Sequence, residues 1–416
     1  MTTEDVRSGA PKVSVLTLAG MVVGSIVGGG VFTLPQNFGA ATGVLGAVIA
    51  WVIAGTGMLM LAFVFQSLAV RRPDLDNGIY VYAQAGFGNC RIQRRLGLLG
   101  QQRRGQRLLP DLRDGQHRRL PAGTWSGQHG AGRASLFEEV KATMLITTFV
   151  FLGVEGASAY SRLARRREDI GRATVLGFVS TLALFASVAL VSYGILPQSR
   201  LAHAEQPSMG VVLRSAVGEW GGTMIDVAVI VSVLGAYLAW TLLNAEVMFD
   251  PARTEIMPRA LARENSNGTP IAALVTTSVS VQLFLLLVLV IDNALDFMLK
   301  LDTALALVPY LLVAAYAFKL TVTGQTYDGA TTERRRRDQV VAALAIVYAV
   351  FLLYSAGSRY LLLSCLIYAP GTLLYLRARR ERGKTTLTAP ELGVCILLWT
   401  LAVLAAVLLA TGALKL

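Results

Sequence analysis

Ten apolar runs of about 20 residues recur along this chain, each long enough as a helix to cross a hydrocarbon core of about 30 Å. They cover roughly 13–37, 43–69, 141–161, 173–196, 222–249, 270–292, 297–319, 339–357, 360–377 and 392–413. Inside a bilayer every backbone N–H and C=O must find a partner within the protein, and runs of this length do so as helices. The fold class that follows is an all-α polytopic membrane protein. A hydrophobic share of 54% and a mean hydropathy of +0.55 exclude a soluble enzyme. The first run is too long for a signal-peptide core and has no small-residue cleavage site after it, so it reads as an uncleaved span.

Basic residues sort the loops. Arg71 and Arg72, the group Arg162 to Arg172, Arg253 with Arg259 and Arg263, Arg334 to Arg337, and Arg377 to Arg380 mark the cytoplasmic side. From residue 141 onward these clusters follow every second run, so that half has a consistent orientation. The first half does not join to it. With Lys12 inside, the second run returns the chain to the inside at Arg71. A run at 141–161 would then carry Arg162 to Arg172 outward, unless an odd number of further spans lies between 89 and 141.

No such span is present there. The chain divides into 1–89, the first two spans and the start of a third; 90–135, an Arg-rich, non-membrane segment; and 136–416, the remaining spans. The middle segment holds ten arginines, no lysine, six glutamines, and two of the three histidines of the chain. Three readings apply: an arm for nucleic acid or anionic lipid, a solvated basic loop, or a stretch translated out of frame. The third has a test on paper. Read one nucleotide later, Arg codons beginning CG can give Ala, Val or Gly, Gln-Arg pairs can give Asn or Ser, and an apolar span emerges from Cys90 onward. A shifted frame is the reading adopted, and no nucleic-acid partner is expected.

The first run carries its own oddity. Val22 to Phe32 reads VVGSIVGGGVF, with Gly24, Gly28, Gly29 and Gly30 within seven residues. Each interior glycine costs a helix about 0.8–1 kcal/mol relative to alanine. The cluster is therefore either a helix break lining a cavity or a seam for close helix packing. Cys90, Cys365 and Cys395 form neither a disulfide framework nor a metal-like spacing. With three histidines, no paired nucleophile and no phosphate-binding loop, nothing points to an enzyme, an ATPase or a cofactor.

Several stretches together carry a resemblance. They are Gly24 to Phe32 with Leu34-Pro35-Gln36, Pro73 to Ala83 (PDLDNGIYVYA), Phe149 to Ala157 (FVFLGVEGA), Trp240 to Glu246 (WTLLNAE), and Met257-Pro258. They resemble the basic amino acid/polyamine antiporters of the amino acid–polyamine–organocation superfamily, and most of all the bacterial arginine/ornithine antiporters. The likeness covers about 1–89 and 136–416. It implies an inverted-repeat fold of five plus five helices with extra C-terminal helices, incomplete here because the third to fifth spans are missing. It also implies a multi-pass protein of the bacterial inner membrane that exchanges arginine for ornithine by alternating access, without cofactor, and it allows a homodimer. The alternative is an inactive product of a disrupted antiporter gene.

The resemblance further implies that the first and sixth spans unwind at the bilayer midplane, around Gly24 to Gly30 and around Phe149 to Gly156. Freed amides at a half-helix N-terminus would bind an α-carboxylate and freed carbonyls an α-ammonium. The substrate-binding candidates are then Gly24, Ser25, Ile26, Gly28, Gly29, Gly30, Phe149, Phe151, Gly153 and Glu155. Phe149 and Phe151 offer faces for a cationic side chain. Glu155 is a carboxylate inside an apolar span, which marks a functional site by default. Asp302 and Tyr310 face either the cavity or lipid.

Overall fold

A computed structural model describes residues 14–72, 82, 85–86, 135–154, 167–253, 257–266, 268–288, 294–327, 331–383 and 387–414. The described residues form helices and turns. The helices are α1 (Val15–Ile26), α2 (Leu34–Ala41), α3 (Val44–Arg71), α4 (Leu136–Phe149), α5 (Arg167–Ile195), α6 (Gln198–Ala202), α7 (Ser208–Val217), α8 (Glu219–Arg253), α9 (Ile271–Val288), α10 (Ala294–Thr323), α11 (Thr332–Arg380) and α12 (Ala389–Ala410). Six described helices are long and apolar enough to span a membrane, and α1 with α2 makes a seventh span bent by 50°.

The expected runs reappear with altered limits. Runs 339–357 and 360–377 merge into α11, whose 49 residues would extend about 70 Å if straight, more than two bilayer cores. Gly357 divides it: its φ of 72° and ψ of 165° leave the helical region, which a glycine reaches without steric cost. The run at 141–161 begins earlier, at Leu136, and its helix stops at Phe149; residues 155–161 lie outside the described residues.

Two short helices, α6 and α7, occupy what the sequence presents as a polar outer loop. They pack over α2. Gln36 donates from Nε2 to the Ala202 carbonyl at 3.3 Å and from its amide to Ser208 Oγ at 3.1 Å. Ser208 Oγ in turn donates to the Phe32 carbonyl at 3.1 Å.

The core lies where α1, α3, α4, α5, α10 and the first half of α11 meet. Small residues let these helices approach, as membrane packing requires in the absence of a hydrophobic drive between helices. On α3, Gly57 receives the ring of Tyr348 from α11 and Gly55 receives Leu182 from α5. An aromatic cluster fills the centre. Trp51 stacks on Phe38 at 5.3 Å between centroids, and Phe151 meets Trp51, Phe178 and Phe185 at 6.0, 5.0 and 5.9 Å.

Candidate functional site

The first break starts after Ile26. Val27 is extended, with φ −79° and ψ 98°, although its amide still donates to the Val23 carbonyl at 2.7 Å. Gly28 is also extended, and a short 3-10 helix, Gly29–Thr33, leads into α2. Its first amides have no acceptor within that turn, and they stand at the positive end of the α2 dipole. The last carbonyls of α1 form the opposite pole. One break thus holds a donor end and an acceptor end, a pattern matched to a zwitterion.

The second break follows Phe149. Residues 150–154 form turns held by bonds from the Phe151 amide to Thr148 and from the Leu152 amide to Phe149, both at 3.0 Å. Gly153 has φ +109°, a conformation that side chains oppose.

The two breaks meet. Ser25 Oγ donates to the Val22 carbonyl at 2.8 Å and to the Gly153 carbonyl at 3.2 Å, across 128 residues of sequence. A Cβ at Gly153 would lie 2.7 Å from the Ser25 oxygen. A Cβ at Gly30 would lie 2.9 Å from the Phe149 ring. Gly28 and Gly29 face Ala236 and Val233 of α8, whose side chains lie 3.4 and 3.3 Å from ideal Cβ positions, and Gly24 is exposed, with none of the described residues within 4 Å of such a position. The glycine stretch therefore serves both readings: it breaks the helix, and it lets neighbouring elements approach.

Each candidate residue can now be placed. Gly24, Ser25, Ile26, Gly28, Gly29, Gly30, Phe149 and Gly153 gather around the paired breaks. Phe149 is partly buried. Phe151 differs from expectation: its ring is wholly buried among Trp51, Phe178 and Phe185, so it braces the break and offers no open face. Glu155 lies outside the described residues. Tyr310 is fully buried against Phe65, while Asp302 is exposed on α10.

Two polar clusters at the ends of the bundle carry little sign in the sequence. At the outer end Thr42 donates to Glu139 at 2.9 Å, and Tyr193 donates to the Thr42 carbonyl at 2.7 Å. At the inner end Arg71 pairs with Asp338 at 2.9 Å. The one available hint was an acid closing the run Arg334 to Arg337. Among the described residues no group of three or more His, Cys, Asp or Glu side chains could hold a metal ion.

The sequence profile of the amino acid permease family matches residues 13–92 and 96–357. The chain belongs to that family. It is a multi-pass membrane protein whose relatives are transporters. It is similar to the arginine/ornithine antiporter of Pseudomonas aeruginosa, at 37% identity over 92% of this chain and 94% of that protein. It is similar to the L-lysine transport protein of Corynebacterium glutamicum at 31% over 97% and 96%, and to the arginine/agmatine antiporter of Chlamydia pneumoniae at 30% over 96% and 97%. The Pseudomonas alignment runs over 457 positions, and 92% of 416 residues fill about 383 of them. At least about 74 positions of that relative thus lack a counterpart here, enough for three spans of about 20 residues with short connections.

Proposed function

We propose that this chain is a secondary active antiporter that exchanges arginine for ornithine across a bacterial inner membrane by alternating access. The observation that carries the reading is the bond from the Ser25 hydroxyl to the Gly153 carbonyl, which holds the break after α1 against the turns that follow α4 in the bundle interior. In this reading the amides of Gly29 and Gly30 receive the α-carboxylate. The carbonyls at the end of α1, around Gly24, Ser25 and Ile26, receive the α-ammonium, and Gly28 keeps the break open. Phe149 supplies a ring face for the cationic side chain, with Phe151 behind the turn as its brace. Gly153 gives the second break its shape, and Glu155, just beyond it, couples occupancy of the site to the movement of the span.

The names of the relatives support the substrate class: two are arginine antiporters and one is a lysine transport protein. The test is counterflow in proteoliposomes loaded with ornithine. Uptake of labelled arginine is expected to need internal ornithine, and Glu155→Gln is expected to reduce it strongly. Uptake that is equal in empty and loaded vesicles would mean the chain is not an exchanger.

A further inference from the structure

Arg71 ends α3 on the inner side, and its guanidinium is held from three directions. Nε and Nη2 donate to Asp338 Oδ2 at 3.2 and 2.9 Å, and Nη1 donates to the Thr326 carbonyl at 3.1 Å. The guanidinium carbon lies 3.6 Å from the centre of the Tyr327 ring. Asp338 Oδ2 also accepts from Ser67 Oγ at 3.3 Å and from the Tyr327 hydroxyl at 3.1 Å. The two charged side chains are only 10% and 11% exposed.

The cluster joins two parts of the bundle. One is the corner between α10 and α11, where Arg335 donates to the Thr321 and Val322 carbonyls at 2.6 and 2.9 Å and so caps the end of α10. The other is α3. Only Thr42 and Gly43 separate it from α2, so it travels with the second half of the broken span. Deeper in the bundle α3 meets α10 and α11 through apolar contacts, Phe65 on Tyr310 and Gly57 under Tyr348, which can slide without stranding a charge. The ion pair cannot. Once parted, Asp338 retains the Tyr327 hydroxyl and the exposed Arg337, 3.8 Å from its Oδ1, whereas Arg71 loses its carboxylate, a loss that exposure to water offsets. It therefore has two states, closed and hydrated.

We infer that the Arg71–Asp338 pair is an inner-side latch: closed here, it holds the inner ends of α3 and α11 together, and it parts when the bundle opens toward the inner face. As a gate of transport the latch rests on the antiporter reading; as a contact that controls access it stands apart from it.

The test reads access directly. Cys90, Cys365 and Cys395 are replaced by serine, and a single cysteine is placed at Ala342, one turn deeper than Asp338 on α11 and 1% exposed. Inside-out vesicles are treated with a membrane-impermeant maleimide. Asp338→Asn is expected to raise the labelling rate about five- to tenfold, the range of a modest coupling between two states. Exchanging the charges, Arg71→Asp with Asp338→Arg, is expected to bring the slow rate back. An unchanged rate in a monodisperse Asp338→Asn protein overturns the latch. If that variant does not fold, Arg71→Lys decides, since it keeps the charge but loses the multiple grip; labelling as slow as in the parent overturns the latch there too. Arginine counterflow in the same vesicles separates the two readings: a parent without exchange overturns the antiporter reading, while the labelling rates alone decide the latch.

Discussion

A methyl group on Gly153 would press on the carbonyl oxygen of Ser25 from 2.7 Å, at a residue already committed to φ +109°. The left-handed conformation by itself costs a residue with a side chain about 1–2 kcal/mol. The contact adds to it, because a backbone oxygen cannot rotate out of the way as a side chain can. Gly153→Ala is therefore expected to lower arginine/ornithine exchange about tenfold or more while leaving the protein in the membrane, as read by counterflow normalised to inserted protein. Ser25→Ala, which removes only the hydroxyl, should have a smaller effect, about that of one hydrogen bond of roughly 1 kcal/mol. Tyr327 makes a different prediction. Burial first, and then the charge of Asp338, push its phenol from 10.0 up to about 12. A raised folded-state value means that its contribution is complete below pH 10 and is lost as the pH rises through about 12. The unfolding temperature of the detergent-solubilised protein should fall over that window, and Tyr327→Phe should remove part of the fall. At this scale the sequence is a partial guide. A glycine cluster that ends a helix is visible in one dimension, although Gly24 itself remains in α1. The burial of Phe151 is not, because its neighbours Trp51, Phe178 and Phe185 come from two other helices.

Helices were the most legible part of this chain, since an apolar run of span length has one stable form in lipid. What hydropathy does not register is how a helix is interrupted. The division of α11 depends on one backbone angle at Gly357, and α6 and α7 are held against α2 by polar side chains that look like loop residues in sequence. Pro309 shows how an interruption is repaired. Without an N–H it leaves the Leu305 carbonyl, one turn earlier in α10, without a helical donor. The Tyr368 hydroxyl of α11 donates to that carbonyl. Tyr368→Phe should therefore destabilise the protein by about 1–3 kcal/mol, the penalty for a buried acceptor left unmade. In a Pro309→Ala background, where the helix supplies its own donor, the same change should cost much less. Thermal unfolding of the two single variants and the double variant measures the difference, and equal penalties in both backgrounds would show that the hydroxyl does not serve the proline gap.

The two faces of the bundle set a condition on the whole molecule. Gly86 stands at the inner end, where Lys319 Nζ donates to its carbonyl at 2.9 Å, close to the residues that pair Arg71 with Asp338. Ser135 opens α4 at the outer end, where Glu139 takes the hydroxyl of Thr42. Gly86 and Ser135 thus stand at opposite ends of the bundle. Yet the sequence from 90 to 135 holds ten arginines and no apolar run of span length, and an arginine at the centre of a bilayer costs at least about 2.5–3.5 kcal/mol. The relative from Pseudomonas aeruginosa has at least about 74 further aligned positions, room for three spans of about 20 residues. The packing shows a matching deficit: of the most apolar stretch of α8 only 6% is buried, against 56% of that of α3 and 44% of that of α10. We propose that three spans belong between α3 and α4 and that a shifted frame from Cys90 has replaced them. Replacing residues 90–135 with the corresponding stretch of that relative should raise the unfolding temperature, since the middle of α8 gains neighbours. It should also increase exchange per molecule, since the paired breaks are then braced on that side. Both quantities are measured on the two proteins in the same lipid. Equal unfolding temperature and equal exchange would mean that the Arg-rich stretch does not stand in place of missing spans.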